Sequence, residues 1–151
     1  MFEKILVATD GSECSNRAAE MGIGLAKLSG GKVTALYVAQ RKSAPIGGLT
    51  GDKLDEVVTG MWRAVREEGD KATKQVEEMA SKSGVSVEKR VVEGHPASEI
   101  LGMAEETPMD IIVMGAIGKT GLTKFLLGSV AEKVVRNSKV PVIIVPMDSG
   151  K

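Results

Sequence analysis

The most suggestive spacing in the chain joins Gly115, Gly118, Gly121 and Gly128, the last followed directly by Ser129. The series begins after the apolar run Asp110-Ile111-Ile112-Val113-Met114 and ends where a helical pattern opens at Ser129 and runs to about Asn137. Glycines at a strand–helix junction let backbone N–H groups approach an anion closely, and the first turn of the helix adds unpaired N–H donors and the positive end of its dipole. A phosphate site is the chemistry this arrangement predicts, with the Ser129 hydroxyl as an extra donor. Two better-known fingerprints fail. Gly118-Lys119-Thr120 looks like the tail of a Walker A loop, but the position five residues before Gly118 is Val113 instead of the glycine that loop needs. The dinucleotide pattern G-x-G-x-x-G belongs after the first strand, where this chain has Thr9-Asp10-Gly11-Ser12.

Other chemistry is thinly supplied. His95 is the single histidine and has no second ligand at metal spacing, and paired carboxylates and a Ser-His-Asp arrangement are both missing. Asp10 closes the first apolar run, where it can serve either as a ligand contact or as the cap of the turn. Lys119 and Lys124 read as solvated loop charges or phosphate counter-charges. Cys14 is the lone cysteine, which forbids an internal disulfide and, with no signal segment at Met1, predicts a reducing, cytoplasmic setting. Lys+Arg and Asp+Glu number 20 each, so the general electrostatic attraction used by nucleic-acid and membrane-surface binders is missing. Aromatics are 3% of the chain, too few for a base-stacking platform. No apolar run approaches the ~20 residues of a membrane span.

The elements that must position these residues follow from the pattern. At 151 residues the chain reads as one domain with a core of its own. Lys4-Ile5-Leu6-Val7-Ala8 is a strand buried on both faces. A helix runs from an N-cap at Ser12 to Gly30-Gly31, with Cys14, Ala18, Met21, Leu25 and Leu28 as its apolar stripe. Lys32 to Ala39 is the second strand, and 40–51 a surface loop. A long helix spans about Asp52 to Ser83, with Gly69 as a candidate bend. Val58, Met61, Trp62, Val65, Ala72, Val76 and Met79 form its stripe. Trp62 suits either the core or a partner-facing surface, and Met21, Met79 and Met114 sit at core spacing. Val85 to Val92 reads as a half-exposed edge strand, a short helix opens at His95-Pro96, and the last strand occupies Val140 to Pro146. Strands alternate with helices throughout, which predicts a parallel, doubly wound α/β sheet. The apolar terminal strand would be an open edge on a monomer, which predicts self-pairing through Val140 to Val145.

The glycine segment also matches G-x2-G-x9-G-[S/T], carried by Gly115, Gly118, Gly128 and Ser129. Together with the opening Lys4-Ile5-Leu6-Val7-Ala8-Thr9-Asp10-Gly11-Ser12 and the ending Ser138 to Pro146, it resembles the ATP-binding subgroup of the universal stress proteins over the whole chain. That resemblance implies a five-stranded parallel sheet in the order 3-2-1-4-5, with helices on both faces, and dimerisation through the last strand. It implies ATP as ligand, with Mg2+ or Mn2+ at the phosphates; the leading expectation is a nucleotide state read by another protein, the alternatives being slow ATP hydrolysis or nucleotidyl transfer, and a stress-related dimer that needs no nucleotide. Ala8, Thr9 and Asp10 would lie beside the nucleoside, Asp10 meeting the ribose hydroxyls or the metal, and Val38 would meet the adenine. Met114, Gly115, Gly118, Gly121, Gly128, Ser129 and Val130 would wrap the ribose and phosphates, with Lys119 as counter-charge. Ala8 stands where many ATP-binding relatives carry proline.

Overall fold

A computed structural model of the chain describes residues 1–40, 47–118 and 127–147. The elements are β1 (Lys4–Ala8), α1 (Glu13–Ser29), β2 (Lys32–Ala39), α2 (Asp52–Ser81), β3 (Val87–Glu93), α3 (Pro96–Glu106), β4 (Ile111–Gly115), α4 (Ser129–Asn137) and β5 (Val142–Val145). The five strands form one parallel sheet in the order β3-β2-β1-β4-β5. This is the order expected. Alternate residues of the central strands face opposite layers. Ile5, Val7, Val33 and Val113 pack with α1 and α2, while Leu6, Leu36, Ile112 and Met114 pack with α3 and α4. Burial on both faces explains why these strands read as nearly unbroken apolar runs.

Ser12 is the N-cap of α1, its side chain accepting from Ser15 N, and Gly30 closes the helix in the left-handed region at φ 74°. One expectation for this helix fails. Met21 is 51% exposed and Leu28 89%, so neither belongs to the core. The packed face is carried instead by Ala18, Ala19, Gly22 and Ala26. A Cβ at Gly22 would stand 2.5 Å from Val7 Cγ2, so α1 rests on the sheet nearer than a large residue there would permit. Small residues therefore set this contact, with Ile23 as the large side chain buried among them.

In α2, the buried positions Gly69, Ala72, Thr73, Val76 and Ala80 all lie in the second half. Val58 is 39% exposed, so the stripe does not stay buried toward the amino end. Gly69, the candidate bend, lies inside one continuous helix and serves close packing: a Cβ there would meet the Tyr37 ring at 2.8 Å and Val91 Cγ1 at 2.8 Å. The edge strand β3 starts at Val87 and keeps Glu88, Lys89 and Arg90 exposed. Among the described residues no helix is long and apolar enough to cross a membrane.

The turn into β4 ties it to the start of β1. Asp110 Oδ2 accepts from Glu3 N and Lys4 N, each at 2.9 Å, and the Asp110 N–H donates to Lys4 O. These backbone donors, Lys4 first, hold the Asp110 carboxyl below its ordinary value of 3.8. A carboxyl depressed in the folded state stabilises above its unfolded pKa and loses that contribution as pH falls through the folded one. Asp110→Ala is therefore expected to lower the thermal midpoint at about pH 7, with the gap to the parent protein closing as the pH falls below about 4. A gap that stays constant over that range in a calorimetric titration would show that the charge plays no part.

Candidate functional site

β1 and β4 are neighbours in the sheet, yet the chain leaving β1 turns into α1 on one face, and the chain leaving β4 leads to α4 on the other. Such divergence opens a crevice at the carboxyl ends of the strands. Here it is a cleft of about 480 Å³. Its floor comes from Ala8, Thr9 and Asp10 after β1, Tyr37, Val38 and Gln40 at the end of β2, and Met114, Gly115, Ile117 and Gly118 after β4. The two faces of the sheet give it two unlike halves. Ala8, Val38, Ile100, Met114 and Val130 make an apolar half continuous with the core beneath α3 and α4. On the side of α1 and α2 the lining is Asp10, Ser15, Tyr37, Val65 and Glu68.

The β1–α1 turn is fixed by its own side chains. Ser15 Oγ donates to Ser12 O at 2.9 Å, and this spends its one proton. The 3.1 Å contact between Thr9 Oγ1 and Ser15 Oγ is therefore donated by Thr9, whose oxygen accepts in turn from Gly11 N at 3.1 Å. Both hydroxyls are buried and committed to the turn. Thr9 shapes the floor without offering a free donor. Asp10 Oδ1 accepts from Ser12 N at 2.9 Å, so its carboxylate caps the turn while facing the cleft. Capping and ligand contact, alternatives in the sequence, are compatible at this residue.

The first two glycines of the spaced series both stand close against residues that follow β1. A Cβ at Gly118 would stand 2.6 Å from Asp10 Oδ2, so the segment after β4 crosses directly over the carboxylate that ends β1. A Cβ at Gly115 would stand 2.8 Å from Cys14 Sγ and 3.1 Å from the Cys14 backbone, which lets α1 begin tight against the end of β4. Cys14 is buried and donates to Val145 O at 3.3 Å, consistent with a packing role. Gly128 acts differently. It is the N-cap of α4, and its N–H donates to Ala116 O at 2.7 Å, so that donor is already used. Ser129 begins α4 exposed and does not line the cleft. Lys119, Gly121 and Lys124 lie outside the described residues. Of the residues singled out by sequence, Ala8, Thr9, Asp10, Val38, Met114, Gly115, Gly118 and Val130 meet at this one cleft.

Sequence reasoning missed Tyr37, Val65, Glu68, Pro96, Ile100 and Ile117. Ile100 and Pro96 follow from the strand order, because α3 descends from the edge of the cleft; nothing in the sequence places Glu68 across from β1. The Tyr37 hydroxyl donates to Glu68 Oε2 at 3.3 Å. Burial, then the Glu68 charge and the hydrogen bond to it, then the Asp10 charge, raise the Tyr37 hydroxyl above its ordinary 10.0. Tyr37 is therefore a neutral phenol at physiological pH.

Among the described residues no group of three or more His, Cys, Asp and Glu side chains could hold a metal ion. His95 is the exposed N-cap residue of α3, with no capping bond from its side chain.

Gly115→Ala is expected to lower unfolding free energy by about 1–3 kcal/mol in urea, the range for overpacking a tight contact. Removing the sulfur with Cys14→Ala in the same chain should recover part of that loss, so the double variant costs less than the two single losses added. Strict additivity would mean that the Cys14 contact is not what Gly115 protects.

The sequence pattern of the Universal stress protein family matches residues 1–146. Universal stress protein MJ0531 of Methanocaldococcus jannaschii is 41% identical over 145 residues, covering 96% of this chain and 82% of its own. The solved structure of MJ0577, named as a universal stress protein of the same organism, superimposes with a TM-score of 0.81 at 32% identity, covering 96% of each chain. A universal stress protein solved in complex with cAMP superimposes with a TM-score of 0.65 at 26% identity, covering 95% of this chain and 96% of that one. The strand order, the crevice between β1 and β4 and the glycines that close over Asp10 thus occur in a chain that belongs to the universal stress protein family.

Proposed function

We infer that this universal stress protein binds an adenine nucleotide, ATP in the first instance, and acts as a cytoplasmic, dimeric, nucleotide-dependent switch read by a downstream protein, with little or no catalysis of its own. The contact of Gly118 with Asp10 carries the reading: it brings a strand-end glycine against a carboxylate at the mouth of a cleft whose other half is apolar. Ala8, Val38, Met114 and Val130 give a planar base an apolar slot, and the Asp10 carboxylate suits ribose hydroxyls. Gly115 and Gly118 keep side chains out of the phosphate path. Lys119, Gly121, Gly128 and Ser129 are proposed as further phosphate contacts on the strength of their spacing, beside the N-terminus of α4, which favours negative charge. The relative solved in complex with cAMP supports an adenine base as the recognised group.

With no group of three metal-ligating side chains among the described residues, Asp10 fits a cation shared with the phosphates, the usual situation of Mg2+, better than a resident metal. Asp10 would hold that ion, or Mn2+, and the ion would screen the phosphate charge. The whole chain is proposed as one domain, since both halves of the lining are drawn from its full length.

Dimerisation is proposed through β5. Among the described residues neither outer strand of the sheet pairs with a further strand, but the two edges differ in chemistry. β3 carries Glu88, Lys89 and Arg90, which discourage pairing, whereas β5 is Val142-Ile143-Ile144-Val145 with no charge to guard it.

Two measurements test the reading. Isothermal titration of nucleotide-free protein should show saturable binding of ATP with Mg2+ present; no binding would sink the proposal. Light scattering at micromolar concentration should give twice the 15.9 kDa of one chain, and a mass of one chain would count against the β5 dimer.

A further inference from the structure

We propose that Glu68, held in place by Tyr37, is the residue that grades nucleotides by phosphate number in this cleft, disfavouring each added phosphate unless a divalent cation accompanies it. This deepens the reading above and rests on it. Tyr37 and Glu68 come from β2 and α2, and both line the half of the cleft that also holds Asp10. The Tyr37 hydroxyl donates to Glu68 Oε2 at 3.3 Å. That partner is neutral, so it orients the carboxylate without cancelling its charge. The helix is fixed at this height by the next residue: Gly69 lies so tightly on the Tyr37 ring that a Cβ would come within 2.8 Å of its Cδ1. Glu68 is therefore anchored through both its backbone and its side chain.

The charge inventory gives that anchoring a consequence. Among the described residues lining the cleft, the acidic side chains are Asp10 and Glu68, and Lys, Arg and His are missing from the lining. The raised pKa of Tyr37, to which both carboxylates contribute, shows that the two share one electrostatic space. Ribose hydroxyls and a neutral base are welcome in such a field. The Glu68 charge repels a phosphate chain running toward Gly118 by an amount that grows with the chain's charge and weakens with salt.

The test compares adenosine, AMP, ADP and ATP by titration calorimetry against the parent protein and Glu68→Gln, in chelator and in excess Mg2+, at about 20 mM and about 300 mM salt. Gln keeps the acceptor for the Tyr37 hydroxyl and removes only the charge. In chelator at low salt, Glu68→Gln should tighten ATP by about fivefold and adenosine by less than about twofold, with AMP and ADP between. High salt or Mg2+ should shrink the difference. Tyr37→Phe, which frees the carboxylate while keeping its charge, should flatten the gradient partway. An equal change for all four ligands, or a loss of ATP affinity in Glu68→Gln, would overturn the role of Glu68 while leaving nucleotide binding intact. A parent protein that binds none of the four would overturn the underlying reading instead.

Discussion

The site depends on a divergence: two hydrogen-bonded neighbours, β1 and β4, send their chains to opposite faces of the sheet. Parallel strands with right-handed crossovers allow this only where the winding direction reverses, and there the two loops cannot cover the gap between them. In this chain the gap stays narrow because Gly115 and Gly118 carry no side chains. The first lets α1 start against β4, and the second lets the chain pass over Asp10. A methyl group at position 115 would press on the Cys14 backbone and pry the crevice wider, and one at position 118 would displace the Asp10 carboxylate.

Much of this architecture was legible in the sequence, for reasons specific to each element. Strands covered on both faces announce themselves as apolar runs, and Ser12 and Gly30 mark the ends of α1 by capping chemistry. The strand order came from the family resemblance, since alternation alone predicts a parallel sheet but not which strand lies where. The cleft was legible where the backbone itself makes it, at the ends of β1, β2 and β4. It was illegible where a side chain arrives from a distant helix. Glu68 reaches the site because Gly69 fixes the height of α2 on β2, and that is a fact of packing between elements. Met21 and Leu28 fall at apolar helical spacing yet lie exposed, because spacing alone does not say which face of α1 meets the sheet. Where this helix lies closest to the sheet, Ala and Gly occupy most of the contact, with Ile23 buried among them, and Met21 and Leu28 lie off that face.

The turn between β1 and α1 shows how a small polar network can serve structure and site together. Thr9, Ser12 and Ser15 satisfy one another and the local backbone, and Asp10 adds a charge where the turn lines the cleft. A buried polar group left without partners is costly, so this closure lets the end of the sheet stay polar without weakening the core below it.

The cleft is lined by six separated stretches, 8–15, 36–40, 65–68, 96–100, 114–118 and residue 130. None of the strands that contribute can open without dismantling it. Contacts so far apart in sequence are costly to close and form together with the sheet, so no nascent fragment ending before β4 can present the site. Occupancy then reports on the integrity of the entire fold. A ligand seated there would draw its stabilisation from the global unfolding equilibrium, protecting amides of β1, β2 and β4 alike from hydrogen exchange instead of quieting one loop.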